Sequence, residues 1–167
     1  MDVEIIPALP EHESILANML ELYAHDFSEF KDLKLGADGR FGYKDLPLYW
    51  NDPDRYPFLI KSDGHLAGFA LVRRGSEISG DHDVWDVTEF FIVRGSRRLG
   101  VGIKAAQWIW GSFGGKWEVR VIDRNQKAMG FWQRAIDDYL GEAIEPIAFE
   151  KNREGWHVFS FECIQAD

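Results

Sequence analysis

The sequence predicts a mixed α/β domain (α+β), with a mostly antiparallel sheet of about seven strands and flanking helices. Apolar spacing switches between period two and helical period in the order βαβββαβαββ, which supplies the elements. Strand-like residues 58–61 and 66–72 are joined by Asp63-Gly64, and residues 85–93 follow as a further hairpin partner; tight turns of this kind require antiparallel neighbours. Between residues 85–93 and 117–122 lies a helix-like run, so these two strands, the fourth and fifth, form a right-handed parallel crossover.

Each element has its own signal. Val3, Ile5 and Ile6 make a short β-branched first strand. Pro10 then suits a first helical turn, and Ile15, Leu16, Met19, Leu20, Tyr23 and Phe27 recur at helical spacing. Periodicity fails over residues 30–56, where Gly36, Gly39, Gly42, Pro47 and Pro53 punctuate a long loop that still holds Phe41, Tyr43, Tyr49 and Trp50. Such a loop in a compact domain is functional or mobile. Residues 85–93 are the strongest strand, although Asp86, Thr88 and Glu89 interrupt it. Residues 103–110 read as a helix closed by Gly111 and Gly114-Gly115, and residues 117–122 as the fifth strand. A last helix opens at Asn125 with Ala128, Phe131, Trp132, Ala135 and Ile136 on one face, before a closing antiparallel pair at residues 147–149 and 156–163.

At 167 residues the chain is expected to be a single domain, residues 1–167, around one core. Hydrophobic residues make up 46%, with seven Trp and twelve Phe, which excludes a disordered chain. The first ten residues carry acids and prolines where a secretion signal would be basic and then apolar, and no run approaches a membrane span. A soluble, cytoplasmic protein is expected, and the single Cys163 suits a reducing compartment. A net charge of −9 argues against nucleic acid or an anionic membrane as partner and turns attention to cationic substrates. The five His are scattered without metal-ligand spacing, so no metal is expected.

The stretch Arg97-Arg98-Leu99-Gly100-Val101-Gly102 lies between the strongest strand and the following helix. Glycines without Cβ atoms, two arginines and the open N–H groups of a helix start make a cradle for a pyrophosphate. The same residues fit the dinucleotide pattern G-x-G-x-x-A, with Asp123 about twenty residues on. A Rossmann turn, however, sets its first glycine directly after the strand, and too little chain follows for a second half-sheet. A Walker loop would need Lys-Ser or Lys-Thr after Gly102. Taken alone, the match also fits an ordinary surface loop.

The spacing Arg-x-x-Gly-x-Gly in this setting resembles the coenzyme A signature of the GCN5-related N-acetyltransferases (GNAT), and a predicted-acetyltransferase subgroup in particular. A second motif agrees, because that family continues Asn-x-x-Ala-x-x-aromatic on the helix after the fifth strand, as Asn125, Ala128 and Phe131 do here. The resemblance spans roughly residues 3–163 and implies transfer of an acetyl group from acetyl-CoA to a primary amine by direct attack. It implies that the fourth and fifth strands splay apart at a bulge and that backbone groups of Phe91, Ile92 and Val93 pair with the pantetheine arm. Arg97, Arg98, Leu99, Gly100, Val101, Gly102 and Ile103 would surround the pyrophosphate. Asn125 would reach the pantetheine or serve as a helix N-cap.

An ammonium must lose a proton before it can attack a thioester. Glu89, a carboxylate inside an apolar strand beside the expected bulge, is the first choice of base; its plain alternative is an ion pair with an arginine. Glu118 comes second and Asp86 third, the latter read as solvated. Trp132 stands where the family often has a tyrosine that protonates the departing thiolate, and indole cannot do so. Water, Tyr139, Tyr43 or Tyr49 would then donate, or the chain is an acyl-CoA-binding module without turnover. The acceptor is expected to be a cationic small-molecule or peptide amine entering over residues 30–56, past Tyr43, Tyr49 and Trp50, with assembly into a homodimer left open.

Overall fold

In the computed structural model, which describes residues 1–165, period-two alternation along the central strands divides the apolar side chains between two cores, one on each face of a single sheet. The strands are β1 (Val3–Pro7), β2 (Arg55–Ser62), β3 (His65–Arg74), β4 (Val84–Ile92), β5 (Gly115–Ile122), β6 (Ile147–Lys151) and β7 (Glu154–Cys163), in the spatial order β1-β2-β3-β4-β5-β7-β6. All neighbours are antiparallel except β4 and β5. The predicted architecture and the parallel crossover are therefore observed.

One core packs Leu59, Phe69, Leu71 and Phe91 against α1 (Glu13–Phe27), whose Leu16, Met19 and Leu20 are buried. The opposite core packs Ile60, Val72 and Val119 against α3 (Val101–Phe113) and α4 (Gln126–Leu140). Burying one Leu or Phe side chain contributes about 2 kcal/mol. A strand that feeds both cores therefore resists any slip of register, which would reverse its faces.

Residues 30–56 are more ordered than their sequence suggests. A one-turn helix, α2 (Leu48–Asn51), interrupts them, and the Glu21 carboxylate on α1 accepts the N–H groups of Phe41 at 2.8 Å and Gly42 at 2.9 Å. Leu46 and Tyr49 are buried against α1. At the far edge, β6 and β7 turn through Asn152 and Arg153, both at positive φ, the type of two-residue turn that matches strand twist. Among the described residues no helix is long and apolar enough to cross a membrane.

Candidate active site

β4 and β5 pair over only three positions, from Val84 with Lys116 to Asp86 with Glu118, and then diverge. On the other side β4 stays joined to β3, with a bulge: Leu71 faces Glu89 and Val72 faces Val87, so Thr88 has no partner in the ladder. The expected splay and bulge are both present. Ladder alternation then decides which backbone groups face the gap. The Val93 N–H donates to Ala67 O at 2.8 Å, and the Phe91 carbonyl lies against Gly68, so both residues turn their backbone toward β3. Phe90 and Ile92 turn theirs to the gap. Phe91 and Val93 are thus corrected to β3-facing positions, and Phe90 is the gap-facing residue that period-two reasoning on the strand could have supplied.

The glycine loop leads into α3 with Gly100 as N-cap at φ +85, a conformation suited to glycine, and the first α3 carbonyl-directed bond of this turn is Lys104 N–H to Gly100 O. That leaves the N–H groups of Val101, Gly102 and Ile103, beyond the end of β4, without helical acceptors. Arg98 (φ +64) and Leu99 are exposed beside them. Such a helix start with an exposed guanidinium fits a pyrophosphate. Two expectations change. Arg97 does not project freely, because its Nε donates to Ile92 O at 2.7 Å and a terminal nitrogen meets Asp26 Oδ2 at 2.8 Å, while the guanidinium lies 5.6 Å from the Phe91 ring centre. Asp26 also takes Arg94, and although burial pushes its carboxyl up, the two guanidiniums carry it below the usual carboxylate range. Gly102 is glycine for a packing reason, since a Cβ there would sit 3.0 Å from the Phe131 ring on α4.

Two cavities meet at the bulge. The first, about 290 Å³, opens toward Tyr43, Asp45, Lys151 and Glu154. The second, about 140 Å³, follows the gap between β4 and β5 past Phe90, Asn125 and Trp132. Thr88, Glu89 and Arg120 line both. Glu89 makes no ion pair within 4 Å among the described residues, which removes the arginine-paired alternative. Burial pushes its carboxyl up to about 7; the Tyr23 hydroxyl and Arg120 pull it down, while Asp86 and Glu77 push it further up. A carboxyl poised there exchanges protons near neutral pH.

Asp86 is not solvated. It is fully buried, and its two oxygens accept from Arg120 Nε at 3.2 Å and a terminal nitrogen at 2.7 Å. Glu118 lines neither cavity: it is buried, its Oε1 accepts from the Ser76 hydroxyl at 2.7 Å, and burial raises its carboxyl. Asn125 Oδ1 accepts the Ala128 N–H at 3.1 Å, so the N-cap role is real, while the residue also lines the gap. Trp132 is 7% exposed and packs 5.0 Å from Phe90 and 4.8 Å from Phe131, ring centre to ring centre. Of the loop aromatics only Tyr43 lines the first cavity; Tyr49 is buried beneath it, and the Trp50 indole donates to Ala8 O at 2.9 Å, so neither reaches an acceptor. The loop acids are also mostly engaged: Asp52 with Arg55, Asp54 with His82, Asp32 with Lys34.

A family model described as the acetyltransferase (GNAT) family matches residues 16–137, most of the chain and all of the gap, the bulge and the glycine loop. The chain belongs to the GNAT acetyltransferase family. A search among curated proteins gives no significant match. Solved structures share the fold of this GNAT chain. An acetyltransferase from Thermus thermophilus is 16% identical, with 96% of this chain and 98% of that one covered and a TM-score of 0.66. The spermidine N-acetyltransferase of Vibrio cholerae, solved with CoA and spermine, is 10% identical over 96% and 95%, with a TM-score of 0.64. Arabidopsis thaliana NAA60 in complex with acetyl-CoA is 14% identical over 96% and 98%, with a TM-score of 0.59.

Sequence reasoning missed Tyr23, Arg120, Lys151, Glu154 and Trp156 as site residues. Tyr23 was hidden in the apolar stripe of α1, and the others come to the cavities through β5 and the β6–β7 turn, a long-range pairing with no local signal.

Proposed function

We propose that this chain transfers the acetyl group of acetyl-CoA to a primary amine by direct attack, with Glu89 as the base. The observation that carries the reading is the place of Glu89, on the bulge where a backbone-lined gap on one side and a polar cavity on the other come together. The pantetheine arm would lie in the gap along the backbone of Phe90 and Ile92, and the diphosphate at the start of α3 beside Arg98. The amine would enter by the larger cavity. There Asp45 and Glu89 are the acids without an ion pair among the described residues, whereas Lys31, Arg55, Arg120 and Lys151 are held by Glu154, Asp52, Asp86 and Glu77. A cationic small molecule or the amino end of a peptide suits that balance, with Tyr43 and Trp156 as ring faces for it.

An amine that binds as an ammonium first loses one proton to water through the open cavity; as the free amine attacks the thioester carbonyl carbon, ionised Glu89 takes the proton that the nitrogen sheds. The C–N bond forms, the C–S bond breaks, and coenzyme A leaves as a thiolate that needs a proton. Removing such a base costs typically about 10²- to 10⁴-fold in rate. The test is release of thiol from acetyl-CoA with spermidine, glucosamine and a short peptide with a free N-terminus. Wild-type turnover with at least one amine should rise as pH passes about 7, and Glu89→Gln should flatten that rise while acetyl-CoA still raises the melting temperature. Coenzyme binding without thiol release from any amine would instead favour an acyl-CoA-binding module, the reading that Trp132 in place of a tyrosine invites.

A further inference from the structure

With Glu89 as base, the reaction still needs a group that protonates the leaving thiolate. Trp132 cannot, because an indole N–H is not acidic enough. Tyr139 lines neither cavity and packs 5.5 Å from the Trp110 ring; Tyr43 lines only the acceptor side; Tyr49 is buried beneath Tyr43. Tyr56 packs 5.5 Å from Trp85 and 5.1 Å from Phe113, ring centre to ring centre, and lines neither cavity, which leaves Tyr23. Tyr23, on α1, lines the gap-side cavity together with Glu89, Phe90 and Trp132. Its ring is held edge-on by Phe69 at 5.8 Å and Phe91 at 6.1 Å and stacks on Phe27 at 5.7 Å, which fixes the direction of the hydroxyl.

We propose that Tyr23 is the general acid of this reaction and that Glu89 reprotonates it, so that a two-residue relay carries the proton of the nucleophile to the leaving sulfur. The proposal rests on Glu89 being the base. Starting from the free amine, the C–N bond forms and the C–S bond breaks; the proton shed by nitrogen goes to Glu89, the thiolate takes the Tyr23 proton, and Tyr23 recovers one from Glu89. Amine and thioester become amide and thiol, and both side chains return to their starting states. When the amine binds as an ammonium, its additional proton goes to water through the open acceptor cavity.

The electrostatics fit this order of events. Burial raises the Tyr23 phenol, and ionised Glu89 raises it further, so Tyr23 holds its proton until Glu89 has been loaded. Once Glu89 is neutral, its share of that rise is gone and it is chiefly burial that holds the phenol up. The other groups facing the pair are Arg120 from β5, Asp86 from β4, Glu77 from the segment before β4, and Tyr43 from the loop. Arg120 is clamped by Asp86 and Glu77 and therefore leaves the proton path to Glu89 and Tyr23.

The experiment compares Tyr23→Phe with wild type on two truncated donors, the acetyl thioesters of N-acetylcysteamine and of 4-nitrothiophenol, alongside acetyl-CoA, with an amine that the wild type acetylates. Tyr23→Phe should lose about 10²-fold in kcat on acetyl-CoA and on the cysteamine thioester. On the nitrothiophenyl thioester, whose thiolate leaves without a proton, the loss should shrink to within about threefold, because the acid step no longer limits. An equal loss on all donors, or no loss on acetyl-CoA, overturns the relay. A second readout needs no turnover: the ¹³C titration of the Glu89 carboxyl, near 7 in the wild type, should move up in Tyr23→Phe, since a neighbouring hydroxyl that favours the charged form is removed. An unmoved midpoint shows the two groups uncoupled and overturns the proposal. Full activity in Glu89→Gln defeats the base and the relay together, whereas a slow Glu89→Gln beside an unaffected Tyr23→Phe defeats the relay alone.

Discussion

The two halves of β4 differ in every respect that matters to this protein. From Val84 to Asp86 the strand is bonded on both sides, and its one carboxylate is fully buried and clamped by Arg120. From Glu89 to Ile92 it is bonded to β3 alone, and its carboxylate is half-buried without an ion pair among the described residues. Two acids three residues apart thus have opposite fates. What separates them is a single unpaired residue, Thr88, and the point at which β5 turns away. The closed half supplies stability, and the open half holds a carboxyl in a state that no stability argument would choose.

The largest effect should come from breaking the closed half. Asp86→Ala leaves the Arg120 guanidinium buried with only Glu77 at 3.4 Å, and urea unfolding should show a loss of about 3–5 kcal/mol. If the loss is under 1 kcal/mol, the clamp is not what distinguishes the two halves. Next comes the open half's remaining support. At Gly68 a Cβ would lie 1.9 Å from the Phe91 carbonyl oxygen, a backbone atom that cannot step aside. Gly68→Ala should cost about 3 kcal/mol and weaken acetyl-CoA binding with it, because the edge presented to the gap is the other side of the same strand.

The third change should act in the opposite direction. The Glu89 carboxyl titrates at about 7 folded against an ordinary 4.5, so the stability linked to its neutral form is complete below about 4.5 and is lost as pH rises through 7. Glu89→Gln removes that loss. At pH 8 it should be more stable than the wild type by about 2 kcal/mol, and near pH 4 the two should melt alike. A variant less stable at pH 8 would mean that the ionised carboxylate is held by favourable contacts. The smallest effect belongs to Trp132→Phe, which keeps an aromatic ring against Phe90 and Phe131 and should cost under about 1.5 kcal/mol with turnover nearly unchanged. A selective loss of turnover would bring Trp132 into the chemistry.

Much of this was legible in the chain. The strand and helix order and the parallel crossover follow from periodicity and turn chemistry, and the cost of a charge in an apolar strand singled out Glu89, which the structure sets beside the bulge. Asp86 was misread because its partner, Arg120, comes from a strand joined by a helical crossover, and no local pattern links them. The loop over residues 30–56 looked free because its anchor, the Glu21 carboxylate, bonds backbone N–H groups about twenty residues away. Tyr49 and Trp50 looked like a binding surface for the same reason: aromatics in an aperiodic segment carry no sign of the core they fill. Tyr23 was seen correctly as packing, and packing is also what aims its hydroxyl.

Helix α1 carries one further consequence. Over less than two turns it presents Glu21 to the loop of residues 30–56, Tyr23 to the bulge and Asp26 to the arginines that precede α3. A one-residue insertion inside that span would rotate everything beyond it by about 100° and separate three connections at once. An insertion of the same size among the exposed residues around Gly39 would disturb none of them. Over evolutionary time the chain can therefore lengthen that loop, while the spacing along this helix has to stay fixed.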